Sequence, residues 1–277
     1  MSLFIELTEL MAKYRFRPKK KLAQNFLTDE KVIQRMVSAA ELNEKDKVLE
    51  VGAGTGFLTR ELQKHCSVIA IEYDETLCEL LQNELAKENL ELICGDFLKV
   101  ELPDFNKVVS TPPYHISKKI MMKLLKHGFE LAVLVFQEEF VEKLTALPGF
   151  PQYGALSVLT QYKTNPKVIG KIEPKAFFPK PKNRSRIVKL EKNERKNKAV
   201  DELLFFRFVE ELFRHRNKNL SNAISCSREF LSKKLGIETK QGIEILHSFE
   251  LEKKVALIEV EEFIQMFNTL YECSKNS

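Results

Sequence analysis

A chain of 277 residues, 44% hydrophobic and 30% charged, is long enough for two domains and apolar enough for a real core. No run approaches the roughly 18 apolar residues of a membrane helix and no apolar leader opens the chain, so a cytoplasmic protein with no membrane partner is expected. The five cysteines and five histidines show no ligand spacing, which speaks against a metal and for reduced thiols, and a net charge of +5 is mild enough that its distribution matters more than its sum.

Residues 3–13 carry a helical pattern. A basic arm, about 13–28, follows. Its first nine residues hold six cations, among them Arg15, Arg17, Lys19, Lys20 and Lys21, with Tyr14 and Phe16 interleaved. Gln24-Asn25-Phe26-Leu27 then leads to Thr28 or Asp29, either a good N-cap for a helix to about Ala40. Residues 46–52 read as a strand, 67–72 as a second, 75–88 as a helix and 90–94 as a third strand. A fourth strand, 107–110, precedes a helix at 117–126. A fifth, 131–136, precedes a helix at 138–147. Strands that alternate with helices and read as solid apolar runs indicate a parallel sheet covered on both faces.

The stretch Glu50-Val-Gly-Ala-Gly-Thr-Gly56 turns the first strand into a helix. Gly52, Gly54 and Gly56 suit a tight turn that a ligand approaches closely. A dinucleotide fingerprint is G-x-G-x-x-G. Here the third glycine comes one residue early. Glu50 would repel a pyrophosphate and welcome the ammonium of a methionine moiety. S-adenosylmethionine (SAM) is therefore favoured over NAD. Polar groups also close the other strands: Glu72, twenty positions after Gly52, then Asp96 and Thr111. Open α/β sheets bind ligands at such strand ends. Glu72 suits ribose hydroxyls and Asp96 an adenine amine.

Thr111-Pro112-Pro113-Tyr114 is the chemically telling turn. Two prolines remove N–H donors and fix an extended backbone whose carbonyls point outward. A side-chain oxygen precedes them and an aromatic ring follows. Such a turn grips an aromatic amine, with the ring on the base and two oxygens on the N–H bonds. Those acceptors localise the nitrogen lone pair for methyl transfer, and no strong general base is needed.

Residues 156–162, 167–172 and 186–190 read as further strands. Residues 191–198 are charged and lack an apolar pattern, which suggests a linker between domain 1–190 and a small all-α domain, 199–277. Cations gather again at 171–189, including Lys180, Lys182 and Arg184, and at Arg214, Arg216 and Lys218. Three basic stretches, one mixed with aromatics, favour a polyanionic partner.

Several stretches together resemble the KsgA/RsmA family of ribosomal RNA adenine dimethyltransferases, in its archaeal branch, with the Erm methyltransferases more distant. They are Lys21-Leu-Ala-Gln-Asn-Phe-Leu27, Glu50 to Gly56, Ile71-Glu72, Gly95-Asp96, Pro113-Tyr114, Phe177-Phe-Pro-Lys-Pro181 and Phe213-Arg-His-Arg-Asn-Lys-Asn-Leu-Ser-Asn222. The resemblance implies a Rossmann-like α/β methyltransferase sheet with helices on both faces and a helical C-terminal domain that grips rRNA. It implies SAM as cofactor, lodged by Asn25, Leu27, Glu50, Gly52, Gly54, Gly56, Glu72, Asp96 and Thr111. Thr111, Pro113, Tyr114 and Phe177 would hold the target base. The cations named above would bind RNA.

The implied partner is small-subunit rRNA within a pre-ribosomal particle, met by a monomer. The implied product is N6-dimethylation of two adjacent adenosines in the hairpin loop near its 3′ end. One departure stands out: the family has Asn-Leu-Pro-Tyr where this chain has Thr111-Pro-Pro-Tyr. That keeps a second reading open, an assembly factor with the fold and little activity. An NAD(P) oxidoreductase and a DNA adenine methyltransferase fit the motifs less well.

Overall fold

The computed structural model describes residues 2–275. Helix α1 (Leu3–Lys13) and the arm lead into a short strand β1 (Phe26–Leu27) and helix α2 (Glu30–Ala39). Then come β2 (Lys47–Val51), α3 (Phe57–Leu62), β3 (Ser67–Glu72), α4 (Glu75–Leu85), β4 (Leu90–Cys94), β5 (Lys107–Ser110), α5 (Ser117–His127), β6 (Leu131–Gln137) and α6 (Glu138–Thr145). Helix α7 (Ala155–Lys163) precedes β7 (Thr164–Ile172), β8 (Phe177–Phe178) and β9 (Ser185–Lys192). The helices α8 (Glu202–Phe213), α9 (Leu220–Cys226), α10 (Arg228–Phe230), α11 (Thr239–Ile245) and α12 (Val260–Lys275) complete the chain. Asp29, Asp74 and Asp201 cap α2, α4 and α8 with their carboxylates, each worth about 1 kcal/mol.

Seven strands form one sheet in the order β4-β3-β2-β5-β6-β9-β7. Strands β4, β3, β2, β5 and β6 are parallel, and β9 runs antiparallel to β6. Strands β2, β3, β5 and β6 are buried on both faces, as their unbroken apolar runs require. The chain builds outward from β2 to β4, then crosses back to lay β5 on the other side of β2. That reversal opens a crevice beyond the ends of β2 and β5.

The chain divides into two compact units. One takes in the chain up to Val141 together with Asn165–Lys192 and holds the sheet. The other takes in Glu142–Thr164 and the chain from Asn193 onward. The helical unit thus begins at Asn193 and also recruits residues that the sequence assigned to the first domain.

The stretch 156–162 is the reason. It is not a strand but most of α7. Leu156, Ser157, Val158, Leu159, Thr160 and Tyr162 are all buried, so no amphipathic period survives to distinguish helix from strand. The Gly154 N–H donates to Ser157 Oγ at 3.0 Å and opens the helix. Tyr162 then packs its ring on Phe205 of α8, centroids 4.8 Å apart.

The thiols also differ from expectation. Cys78 of α4 and Cys94 at the end of β4 form a disulfide, while Cys66 and Cys226 are free. The pair lies 16 residues apart with no motif, and only the packing of α4 against β4 brings it together. Among the described residues no group of three or more His, Cys, Asp or Glu side chains could hold a metal, and no helix is long and apolar enough to cross a membrane.

Candidate active site

A cavity of about 310 Å³ fills the crevice at the ends of β2, β3, β4 and β5. Asn25, Leu27, Glu50, Gly52, Gly54, Glu72, Asp96, Thr111, Pro113, Tyr114 and Phe177 all line it. Gly56 does not. Its φ is +79° and a Cβ there would sit 2.3 Å from a Leu85 methyl, so it lets α3 approach α4. Gly52 and Gly54 also have positive φ, and a Cβ on either would press at 3.3 Å on Pro113 or Phe26. The cavity wall is therefore closed down to bare backbone at these two points.

Ser110 aligns the two turns. Its Oγ donates to the Val51 carbonyl at 2.7 Å and accepts the Val51 N–H at 3.2 Å. The side chain carries the β2–β5 contact from the last registered pair, Leu49 and Val108, to the ends of both strands, so the glycine turn and the Thr111 turn stand side by side. A small polar residue closing an apolar strand was the one available sequence signal for this role.

Two buried acids face the cavity. Glu50 is 1% exposed, and its Oε2 accepts the Thr59 hydroxyl at 2.6 Å. Burial pushes its carboxyl up to about 8, with Thr59 opposing and the Glu72 charge adding to the rise. Glu72 accepts the Gly54 N–H at 2.8 Å on one oxygen, and the Tyr73 and Asp74 N–H groups at 2.8 and 2.9 Å on the other. Burial raises its pKa too, against those three bonds. Among the described residues no cation pairs with Glu50 or Glu72. The site therefore suits a ligand that carries positive charge and rejects a pyrophosphate. Asp96 Oδ1 accepts the Leu98 N–H at 2.9 Å, which fixes the carboxylate beside the cavity.

The basic arm is tied down over this floor. Lys19 Nζ and Gln24 Nε2 bond the two oxygens of Asp74 at 2.7 and 2.8 Å. Burial raises the Asp74 carboxyl, but the Lys19 and Gln24 bonds outweigh it and hold the group below the usual carboxylate range. Lys19 is thus a latch as well as a cation. Phe26 packs edge-on against Phe16 at 5.9 Å. Strands β1 and β8 pair Leu27 with Phe177, which joins the arm to the second aromatic of the site.

At the Thr111 turn, the Pro113 carbonyl accepts the Ile116 N–H at 3.3 Å. Neither the Thr111 hydroxyl nor the Pro112 carbonyl bonds another described residue, and both residues line the cavity. Two acceptors thus remain on one turn. Tyr114 is anchored by its hydroxyl to Ser185 Oγ at 2.8 Å. Burial pushes the phenol up to about 12, so it stays neutral.

A sequence profile described as "Ribosomal RNA adenine dimethylase" matches residues 15–271. The chain belongs to the ribosomal RNA adenine dimethylase family. A "Probable ribosomal RNA small subunit methyltransferase A" of Thermococcus gammatolerans is 43% identical over 94% of this chain and 92% of its own length. A protein of the same description from Pyrococcus furiosus is 41% identical over 92% and 95%. Among solved structures, a Plasmodium falciparum dimethyladenosine transferase shares the fold, with TM-score 0.77 and 24% identity over 87% of this chain and 95% of its own. The 23S rRNA methyltransferase ErmE follows, with TM-score 0.66 and 28% identity over 89% and 99%. The methyl donor of this adenine dimethylase is SAM, and a cavity with two buried acids and no paired cation among the described residues fits a cationic ligand.

The sequence-predicted RNA residues fall into two groups. Arg15, Arg17, Lys20, Lys21, Lys180 and Lys182 are exposed, and Arg184 makes only an exposed 3.3 Å pair with Glu173. In the helical unit, Arg214 is exposed and pairs with Glu211, while Lys218 points its ammonium at Cys226 Sγ, 2.9 Å away. Arg216 is half-buried and donates to the Pro151 carbonyl at 2.9 Å. Asn219 caps α9, and Leu220 is buried. Much of the 213–222 signature therefore holds the helical unit together.

Proposed function

We propose that this adenine dimethylase transfers methyl groups from SAM to N6 of two adjacent adenosines in the hairpin loop near the 3′ end of small-subunit rRNA, acting on an assembling particle. When bound, SAM supplies an electrophilic methyl on a sulfonium. Glu50, once ionised, holds the ammonium of its methionine end, with the bare backbone of Gly52 alongside. Glu72, oriented by three N–H groups, takes the ribose hydroxyls, and Asp96 the adenine amine. Asn25 and Leu27 close the cavity from the arm.

The single observation that carries the reading is the pair of unused acceptors on one proline-fixed turn. The target amine donates one N–H to the Pro112 carbonyl and one to Thr111 Oγ1. Its lone pair is drawn out of the ring and aimed into the cavity. Tyr114 and Phe177 flank the base. The base must leave its stack to reach them, so an unpaired loop suits the site and a duplex does not. Tyr114 is neutral and hydrogen-bonded, so it stacks rather than takes the proton, which leaves the product amine for water. The exposed cations of the arm and of the 180–184 loop give the phosphate contacts.

A methyl-transfer assay tests this. Labelled SAM and small subunits from a strain lacking the modification are combined, and the rRNA nucleosides are separated by mass. Dimethyladenosine in the 3′ hairpin is expected. Tight binding of the subunits with no methylated product would favour the assembly-factor reading instead.

A further inference from the structure

Lys123 lies in the middle of α5, outside the cavity, where a helix facing a sheet normally carries an apolar side chain. Its ammonium donates to two backbone carbonyls, Phe97 at 2.6 Å and Val100 at 2.5 Å. It also stands 5.0 Å from the centre of the Phe97 ring. Phe97 is 4% exposed and lines the cavity together with Asp96 and Leu98. The same turn is already tight. The Asp96 carbonyl accepts the N–H groups of Lys99 and Val100, and the Asp96 carboxylate accepts that of Leu98. Gly95 donates to the Glu72 carbonyl at 2.7 Å. These bonds occupy the N–H groups of Gly95, Leu98, Lys99 and Val100, while the Phe97 and Val100 carbonyls point at α5. Lys123 takes both.

Helix α5 starts just after Tyr114, and Ser117 Oγ at its first residue donates to the Tyr114 carbonyl at 2.8 Å. One helix therefore grips the Thr111 turn with its end and the Asp96 turn with its middle. We propose that Lys123 is the positioning residue of the cofactor's adenine subsite, holding the Asp96–Val100 turn at a fixed height against the turn that receives the target base. It does so by ligating carbonyls, a task that neither an apolar side chain nor a carboxylate can perform. The proposal rests on the reading above that places the adenine at Asp96.

The test is calorimetric titration of wild type, Lys123→Met and Lys123→Gln with three probes: S-adenosylhomocysteine, 5′-methylthioadenosine and methionine. Met keeps the stem and removes the donors, while Gln keeps two N–H donors on a shorter arm. Lys123→Met should weaken both adenine-containing ligands by about 10- to 100-fold, the effect of losing a charge-assisted hydrogen bond. Methionine should bind unchanged, and Lys123→Gln should recover part of the loss. With saturating SAM, kcat should stay close to wild type while KM for SAM rises. Equal weakening of methionine and the nucleoside would mean general loosening and would overturn the proposal. So would unchanged binding of all three by a folded Lys123→Met. If the wild type itself fails to bind S-adenosylhomocysteine, the functional reading falls instead.

Discussion

The Tyr114 hydroxyl sits 2.8 Å from Ser185 Oγ, so the aromatic ring beside the Thr111 turn is fixed from β9, the antiparallel neighbour of β6. Ser185 is 1% exposed and belongs to the segment that follows the Phe177 loop. One hydrogen bond thus ties the Tyr114 ring to β9, the strand that follows the loop after Phe177.

This bond separates two roles of Tyr114. Tyr114→Phe keeps the ring and loses the bond, at a cost of about 0.5–1.5 kcal/mol, a few-fold in kcat/KM for RNA. Ser185→Ala should cost the same, and the double variant no more than either single one, because both remove one interaction. Tyr114→Ala should lower the rate by orders of magnitude through loss of the stacking face. Single-turnover methylation of hairpin RNA measures all four. Full additivity of the first two substitutions would show that the bond does not orient the ring.

If Glu50 holds the ammonium of SAM as proposed, cofactor binding depends on pH. The Glu50 carboxyl is raised to about 8 in the free site, so at neutral pH it is mostly protonated. A cationic ligand selects the ionised form and expels the proton. Affinity for SAM should therefore climb by up to about tenfold per pH unit below pH 8 and level off above it. Calorimetry in two buffers of different ionisation enthalpy should show close to one proton released at pH 6.5. In Glu50→Gln the slope and the proton release should vanish.

The ligand-free protein has the opposite dependence. An acid whose folded pKa lies above its unfolded value binds more protons when folded, so stability falls as pH rises from about 4.5 to 8. Glu50→Gln should remove this fall and raise the melting temperature at pH 8.

Lys19 and Gln24 hold the arm by one carboxylate, Asp74, which also caps α4 through the Thr76 N–H at 3.2 Å. Lys19→Met tests the latch without touching the cap. It should raise KM for SAM several-fold and speed cofactor release, with little change in melting temperature, because the pair is half exposed on the lysine side. Stopped-flow release of S-adenosylhomocysteine reads this directly. A large drop in melting temperature with unchanged release would instead make the contact a structural brace.

The sheet and the placement of most cavity-lining residues were legible because their signals are local. Apolar runs gave β2 to β6, and each of Glu50, Glu72, Asp96 and Thr111 closes or follows a strand at the cavity. What escaped depends on distant packing. Helix α7 is buried all round and so carries no period. The Cys78–Cys94 pair needs the α4–β4 crossover. Asp74, Ser110, Lys123 and Ser185 act by bonding partners 50 or more residues away in three cases and 23 or more in the other. Gly56 is a different case: it lies outside the cavity lining and makes room for Leu85, and a strict glycine pattern does not say which glycine lines the cavity.

Thr111 stands where the sequence resemblance implies an Asn, and under the proposed function it supplies the second acceptor. Its hydroxyl is one of two unbonded acceptors on the turn, on a side chain shorter than Asn. A hydroxyl can accept one N–H of the target amine, and after the first methyl only one N–H remains to be held. Thr111→Val keeps the shape and removes the acceptor. It should cut the single-turnover rate of the first transfer by about 10- to 1000-fold, the range for losing one preorganised polar contact. Thr111→Asn should restore a carbonyl acceptor and retain activity. Separating mono- from dimethyladenosine over time tells the two transfers apart. An unchanged rate in Thr111→Val would show that the Pro112 carbonyl holds the amine alone, and the second acceptor would then have to be sought elsewhere in the cavity wall.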